Sequence, residues 1–514
     1  MTGSVAPPDL ERRIRWALIG LLLAALLAAM TAAPVHAATP VATHIVQLEP
    51  GVAPADGARL VRSAGGRVTG ALPIINGLAV RLPASAVAAV GHDARVKALT
   101  ANSRVAPQAT QADPSSLATA YPASVQATKV WDSATGRGVG VAVIDTGIAG
   151  GLADFKGEDG RSRVIASAVV NPAATTAKDT YGHGTHVAGI LAGDGSRRGD
   201  SLRGQYVGIA PEANLISIKA ADDAGRATVL DIIYGLQFAV DHRVTYNIRV
   251  VNLSLQSTTA GSYKTDPLDA AVESAYFHGI VVVAAAGNRG SAADATSYAP
   301  GNDPFAITVG AVDDQGTKGT GDDLISTWSS AGRTQDGIVK PDVAAPGAHI
   351  VSTLAPDSAY SAMCPACIVS GQYLRAGGTS MAAPIVAGTA ALILQRHPDW
   401  TPDQVKSTIL ATTRKLNSAD VREVNAAAAA FATEPASGAN AGIVPNRLVN
   451  AATGDIDYSL SSWSLSSWSQ ASDPLTAGWA LSSWSCTCSA GPSGSVDPSL
   501  SSWSLSSWST RWDL

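Results

Sequence analysis

Charge is scarce in this chain. Asp, Glu, Lys and Arg make up 15% of its 514 residues, and the net charge is −5. No basic stretch is dense enough to follow a phosphate backbone, which excludes nucleic acid as a partner, and no acidic run reads as a solvating tail. Aromatic residues are equally sparse at 5%, and they are placed unevenly. Past residue 33 no apolar run is long enough to span a bilayer. Cysteine is confined to two close pairs, Cys364-Pro-Ala-Cys367 and Cys486-Thr-Cys488, without histidines at zinc-ligand spacing beside them.

What is present is globular in kind: 46% hydrophobic residues and 49 glycines. The length exceeds what one core usually fills, so two or more units are expected. Arg12, Arg13 and Arg15 precede an apolar run from Trp16 to Ala33, followed by Pro34-Val35-His36-Ala37-Ala38. A basic segment, an apolar segment and a small-residue site ending near Ala37 read as a secretory signal over 1–37, with a retained membrane anchor as the alternative. The expected location is secreted or at the extracellular surface. Outside the cytosol the four cysteines are expected as disulfides, and three pairings are open, with a bond from the C-terminal tail to the central domain among the options.

Residues 38–110 carry a small unit of their own. His44-Ile-Val-Gln-Leu reads as a strand, Asp56 to Ala64 as a helix, and Val68 to Leu82 as two strands broken by Pro73 and Asn76-Gly77. Ala84 to Val90 is helical again and Val96 to Leu99 extended, completing a β-α-β-β-α-β order. Ala106 to Ser116 reads as linker.

From 111 to 435 apolar strands alternate with helices. Val139–Ile144, Leu215–Ile218, Arg249–Ser254, Ile280–Ala285 and Ala306–Val312 are separated by helical stretches at Ala227–His242 and Asp269–His278. Continuous apolar strands with helices between them imply an α/β domain of three layers, with a mostly parallel central sheet covered on both faces. Pro384 is expected in the first turn of a helix that ends near His397. A linker over 436–458 leads to a low-complexity Ser/Trp tail, 459–514, in which Ser-Leu-Ser-Ser-Trp recurs. Trp463, Trp468, Trp479, Trp484, Trp503, Trp508 and Trp512 all lie there. Such a tail reads either as an inert exported segment or as an element that docks on a cell surface or carbohydrate through exposed indole rings.

Four segments in the α/β region carry chemistry. Asp145 ends the apolar run Val141-Ala-Val-Ile, where open parallel sheets place their sites. His183 lies between Gly182 and Gly184 at the start of a helix and offers an imidazole whose pKa suits a general base. Ser380, within Gly377-Gly-Thr-Ser-Met-Ala-Ala-Pro384, is a hydroxyl at a helix start, and serine needs such a base within reach to act as a nucleophile. Asn288 follows Val281-Val-Val-Ala-Ala-Ala-Gly287 and supplies an amide donor. Singly, each residue is an ordinary turn former or cap. Together, in the order Asp, His, Ser, they resemble the subtilisin-like serine proteases over about residues 44–433.

That resemblance implies a serine endopeptidase acting on protein or peptide substrates through Asp145, His183 and Ser380, with Asn288 in the oxyanion hole. It implies that 38–110 is a propeptide that assists folding and acts as an intramolecular inhibitor. Leu253, Ser254, Leu255 and Gln256 align with the strand that pairs with substrate, and Gln256 stands where the family usually has glycine. Ala285, Ala286 and Gly287 would form the other wall of a pocket roomy enough for an apolar side chain. The chemistry requires no cofactor. Members often bind calcium, but Gly193–Gln205 does not reproduce the calcium-loop pattern, and Asp194 and Asp200 are candidates without an assigned site. Around Asp313–Asp323 and Tyr360–Arg375 the chain carries residues additional to the family pattern.

Overall fold

A computed structural model describes residues 41–107, 120–157, 159–195, 202, 204–416, 422–447 and 449–450. The signal segment, Asp200, Cys486, Cys488 and the Ser/Trp tail lie outside the described residues.

The N-terminal unit follows the expected order. Strand β1 (Val41–Leu48) is followed by helix α1 (Pro54–Ser63), strands β2 (Arg67–Leu72) and β3 (Gly77–Pro83), helix α2 (Ala84–Gly91) and strand β4 (Val96–Ala101). The four strands form one antiparallel sheet in the order β2-β3-β1-β4. The strand pleat sends alternate residues to opposite faces. Val46, Leu48, Leu78, Val80 and Leu82 form the unit's own core with α1 and α2. Ile45, Leu72 and Ala79, with Ile74 and Ile75 from the turn after β2, join the core of the next domain instead. This unit is therefore seated on its neighbour through one face of its sheet.

Strand β5 (Arg104–Pro107) continues from that unit. The linker expected from Ala106 thus begins as strand. Its partners explain the difference, because β5 is held antiparallel between β9 (Ala227–Thr228) and β11 (Leu255–Ser257).

The central domain is built on β6 (Gly140–Asp145), β7 (Val164–Val169), β8 (Asn214–Lys219), β10 (Ile248–Leu253), β12 (Val281–Ala285), β13 (Ile307–Asp313) and β14 (Val343–Pro346). They run parallel in the order β7-β8-β6-β10-β12-β13-β14 within a ten-stranded sheet. Val141, Val143, Val250, Val283 and Val309 face helix α3 (His183–Ala192) and helix α6 (Thr379–Arg396). Ala142, Ile144, Val251, Leu253 and Ala284 face helix α4 (Val229–Asp241) and helix α5 (Pro267–Phe277). The inner strands are buried on both sides, which is why the sequence shows apolar runs there, whereas the edge strand β7 alternates buried and half-buried residues.

Three expectations are revised. Helix α6 begins at Thr379, so Pro384 falls in its second turn. Proline removes the N–H that would bond the carbonyl four residues back. That carbonyl belongs to Ser380, and it accepts instead from Ser254 Oγ at 2.8 Å. The stretch read as linker from 436 is laid on the domain as far as it is described. Asn446 is buried, its N–H donates to Glu273 Oε2 at 2.7 Å and its Nδ2 donates to the Asp266 carbonyl at 3.0 Å. Finally, Cys364 and Cys367 are bonded to each other, so neither ties the tail to this domain.

Candidate active site

The site forms at the carboxyl ends of β6, β10 and β12, where two helices start. Asp145 is the last residue of β6 and His183 the first of α3, and the two elements are stapled together. His183 Nδ1 lies 2.7 Å from Asp145 Oδ1 and 2.9 Å from Oδ2. The Thr146 N–H donates to Asp145 Oδ1 at 2.7 Å, and the Gly184 N–H donates to Thr146 Oγ1 at 2.9 Å. A side chain at position 184 would collide with the Gly147 carbonyl oxygen, so glycine is what lets the helix approach the strand end.

Asp179 completes the staple, and sequence reasoning missed it. Its carboxylate accepts from Thr146 Oγ1 at 2.8 Å, the Gly182 N–H at 2.7 Å, the Thr185 N–H at 2.8 Å and Thr185 Oγ1 at 2.6 Å. Burial pushes its pKa up, against the pull of these donors. The N-cap position of α3 is Gly182, which has no side chain to cap with, and Asp179 performs that role from three residues upstream. An acid just before a glycine-led helix start was the available signal.

Among the described residues His183 Nε2 is buried and has no hydrogen-bond partner. Ser380 lies in the first turn of α6, fully buried, and its Oγ donates to the Ser254 carbonyl at 3.0 Å. His186, one turn on from His183, is committed elsewhere. Its Nε2 lies 2.9 Å from the Leu374 carbonyl oxygen, and burial pushes its pKa down to about 4.

Asn288 is held by Thr379. Its Oδ1 accepts from both the Thr379 N–H and Thr379 Oγ1, each at 3.0 Å. A carboxamide oxygen fixed by two donors fixes the opposite face of the amide as the Nδ2 face. Thr379 Oγ1 also accepts from the Gly287 N–H at 3.1 Å, locking the loop to the helix start that carries Ser380.

The residues aligned with substrate divide between two roles. Leu253 is paired with Ala284 inside the central sheet, and Ser254 is bonded to Ser380. The ladder with β5 begins at Leu255, with Leu255 opposite Pro107, Gln256 opposite Ala106 and Ser257 opposite Val105. Ala285, Ala286 and Gly287 face that ladder, but the room between them is crossed by a side chain. Gln256 Nε2 donates to the Ala286 carbonyl at 3.3 Å, and a Cβ on Gly287, where φ is +103°, would lie 2.5 Å from Gln256 Nε2.

Asp194 forms an isolated bridge with Val207. Among the described residues no group of three or more His, Cys, Asp or Glu is arranged to hold a metal ion.

Comparisons with known proteins agree with this architecture. Serine protease AprX of Bacillus subtilis (strain 168) is 41% identical over 291 residues, which is 56% of this chain and 63% of that protein. Subtilisin of Bacillus pumilus is 36% identical over 285 residues, 55% of this chain and 86% of that protein. The crystal structure of fervidolysin from Fervidobacterium pennivorans, a keratinolytic enzyme related to subtilisin, superposes with a TM-score of 0.59 at 25% identity. That superposition covers 77% of this chain and 61% of fervidolysin, so the chain spans under two thirds of both AprX and fervidolysin. The family model for the subtilase family, Peptidase_S8, matches residues 136–434, and the chain belongs to that family.

Proposed function

We propose that the chain is a secreted serine endopeptidase, made as a pre-pro-enzyme that cuts itself, with Asp145, His183 and Ser380 as its triad. The observation that carries this reading is the Asp145–His183 pair. The carboxylate takes Nδ1 and leaves a buried Nε2 without a partner among the described residues, and a proton on Nδ1 is the tautomer needed to remove a proton from a hydroxyl. Ser380 Oγ turns from the Ser254 carbonyl to Nε2, gives up its proton and attacks the substrate carbonyl carbon. The oxyanion is received by the Ser380 N–H and Asn288 Nδ2. His183 then protonates the leaving amine, and water repeats the sequence to release the acid. The protein's own side chains and one backbone N–H supply every step, with no cofactor.

The chain's own residues 104–107 support the self-cleavage. They lie in the cleft as an extended strand, and the ladder runs toward Ser254, the residue that holds the nucleophile's Oγ. Pro107 is opposite Leu255. The β11 side of that ladder ends one residue from Ser254, so the bond to be cut follows closely after Pro107 in sequence. We therefore assign the maturation cut to the bond between Gln108 and Ala109, two residues outside the described ones.

The test is expression of the full chain in a secreting host, with N-terminal sequencing of the product and hydrolysis of denatured casein. A new N-terminus at Ala109, absent in Ser380→Ala, is the expected result. Casein hydrolysis with a different N-terminus overturns the assigned bond and leaves the protease reading standing. Full self-cleavage by Ser380→Ala overturns the triad.

A further inference from the structure

The segment between Ile350–Thr353 and Tyr373–Ala376 leaves the sheet that these two strands form and returns to it. It is the additional chain seen in the sequence, and nothing in the proposed reaction uses it. Its first part is laid along the approach to His183. The Ala359 N–H donates to the Thr180 carbonyl at 2.9 Å and the Tyr360 N–H to the Tyr181 carbonyl at 3.0 Å. A Cβ on Gly182 would meet Ser358 Oγ at 2.7 Å and Tyr360 Cβ at 3.0 Å, so the contact is close along its length.

This brings the Tyr360 ring, 3% exposed, edge to face with His183. The centroids are 6.1 Å apart and the planes cross at 87°. The same ring meets His186 at 6.4 Å and Tyr181 at 5.4 Å. Tyr360 belongs to the short helix Ala359–Met363, and Cys364 follows directly. The bond from Cys364 to the fully buried Cys367 ties the end of that helix to the domain core.

Asp145 grips His183 through one ring atom, which fixes a distance but leaves the imidazole a hinge about that contact. A ring packed at right angles closes the hinge. We propose that Tyr360 is a positioning residue for His183, and that the Cys364–Cys367 bond keeps Tyr360 in place. The proposal rests on the reading of His183 as the base. A misplacement of about 1 Å at a reacting group costs up to about 10²-fold in rate, so the effect belongs in turnover and not in substrate affinity.

The experiment measures kcat and KM of the matured enzyme on a Val-Ala-Pro-Gln anilide, together with thermal unfolding. The variants are Tyr360→Ala, Tyr360→Phe, Cys364→Ala with Cys367→Ala, and the triple combination. Tyr360→Ala should lose about 10-fold to 100-fold in kcat with KM unchanged, and Tyr360→Phe should rescue it. The cysteine pair should lose kcat in the same way, and the triple variant no more than Tyr360→Ala, because both act through one contact. If Tyr360→Ala does not accumulate, Tyr360→Leu keeps the volume without the ring and is read identically. Full kcat in Tyr360→Ala, or losses in KM and melting temperature that phenylalanine does not rescue, would overturn the proposal. A His183→Ala enzyme with undiminished kcat would instead overturn the reading of the site beneath it.

Discussion

Ser254 and Ser380 exchange hydrogen bonds in both directions. Ser254 Oγ donates to the Ser380 carbonyl at 2.8 Å, and Ser380 Oγ donates to the Ser254 carbonyl at 3.0 Å. The first bond exists because Pro384 cannot occupy that carbonyl. Ser254→Ala should leave the carbonyl buried and unsatisfied, lowering stability by about 1–3 kcal/mol. Adding Pro384→Ala supplies an N–H to the same carbonyl and should recover part of the loss. Denaturant unfolding of the two variants checks this, and equal stability of single and double variants would detach Pro384 from the arrangement.

Asn288→Ala should lower kcat by about 10²–10³ with little change in KM, because in the proposed mechanism the amide acts on charge that develops during attack. Thr379→Val removes only the hydroxyl that helps hold Asn288 Oδ1, so a smaller loss, also in kcat, is expected. Steady-state kinetics on one anilide substrate distinguishes these. A rise in KM for either variant would make Asn288 a substrate contact.

Gln256→Gly should open the pocket that the glutamine crosses. The ratio of kcat/KM for phenylalanine over alanine at the residue preceding the cut bond should rise about 10-fold, within the range that pocket volume commands. Competition between two such peptides measures it directly. An unchanged ratio would show that the pocket wall lies elsewhere.

His186 sets a pH dependence of stability. Its folded pKa of about 4 lies below the ordinary 6.5, so the unfolded chain binds the extra proton first on acidification. The neutral ring's contribution is therefore complete above about pH 6.5 and is lost as pH falls toward 4, an effect of about 3 kcal/mol. His186→Gln should remove that part of the pH dependence, so the stability difference between variant and parent should change between about pH 6.5 and 4. Unfolding free energies at intervals from pH 7 to 4 provide the test, and parallel curves would contradict the assignment.

The sequence revealed those features that depend on local pattern. Asp145, His183, Asn288 and Ser380 sit where short motifs meet apolar strands or small residues, and each motif is contiguous. The parallel sheet was legible because burial on both faces leaves strands such as Val281–Ala285 without polar residues. Relationships between distant segments were not legible. Asp179 serves a helix it does not belong to, and the value of Pro384 lies in a hydroxyl at residue 254. Gln256 looked like a departure at one position, and its reach to Ala286 depends on how β11 faces β12. Where Asn446 docks depends on a carboxylate at Glu273, far away in the chain.

Strand β5 is the middle of three, and among the described residues β9 and β11 are joined to one another only through it. Take it out and two short backbone edges face each other across a gap the width of one strand. Such a gap is filled by main-chain donors and acceptors before any side chain is consulted. A folded protein keeps its strands paired and its edges covered, and so has nothing to insert. An unfolded segment has that to offer at almost every position. On the proposed reading, in which β5 leaves after self-cleavage, the first thing the cleft measures in a substrate is whether it has lost its native structure, and identity of sequence comes second.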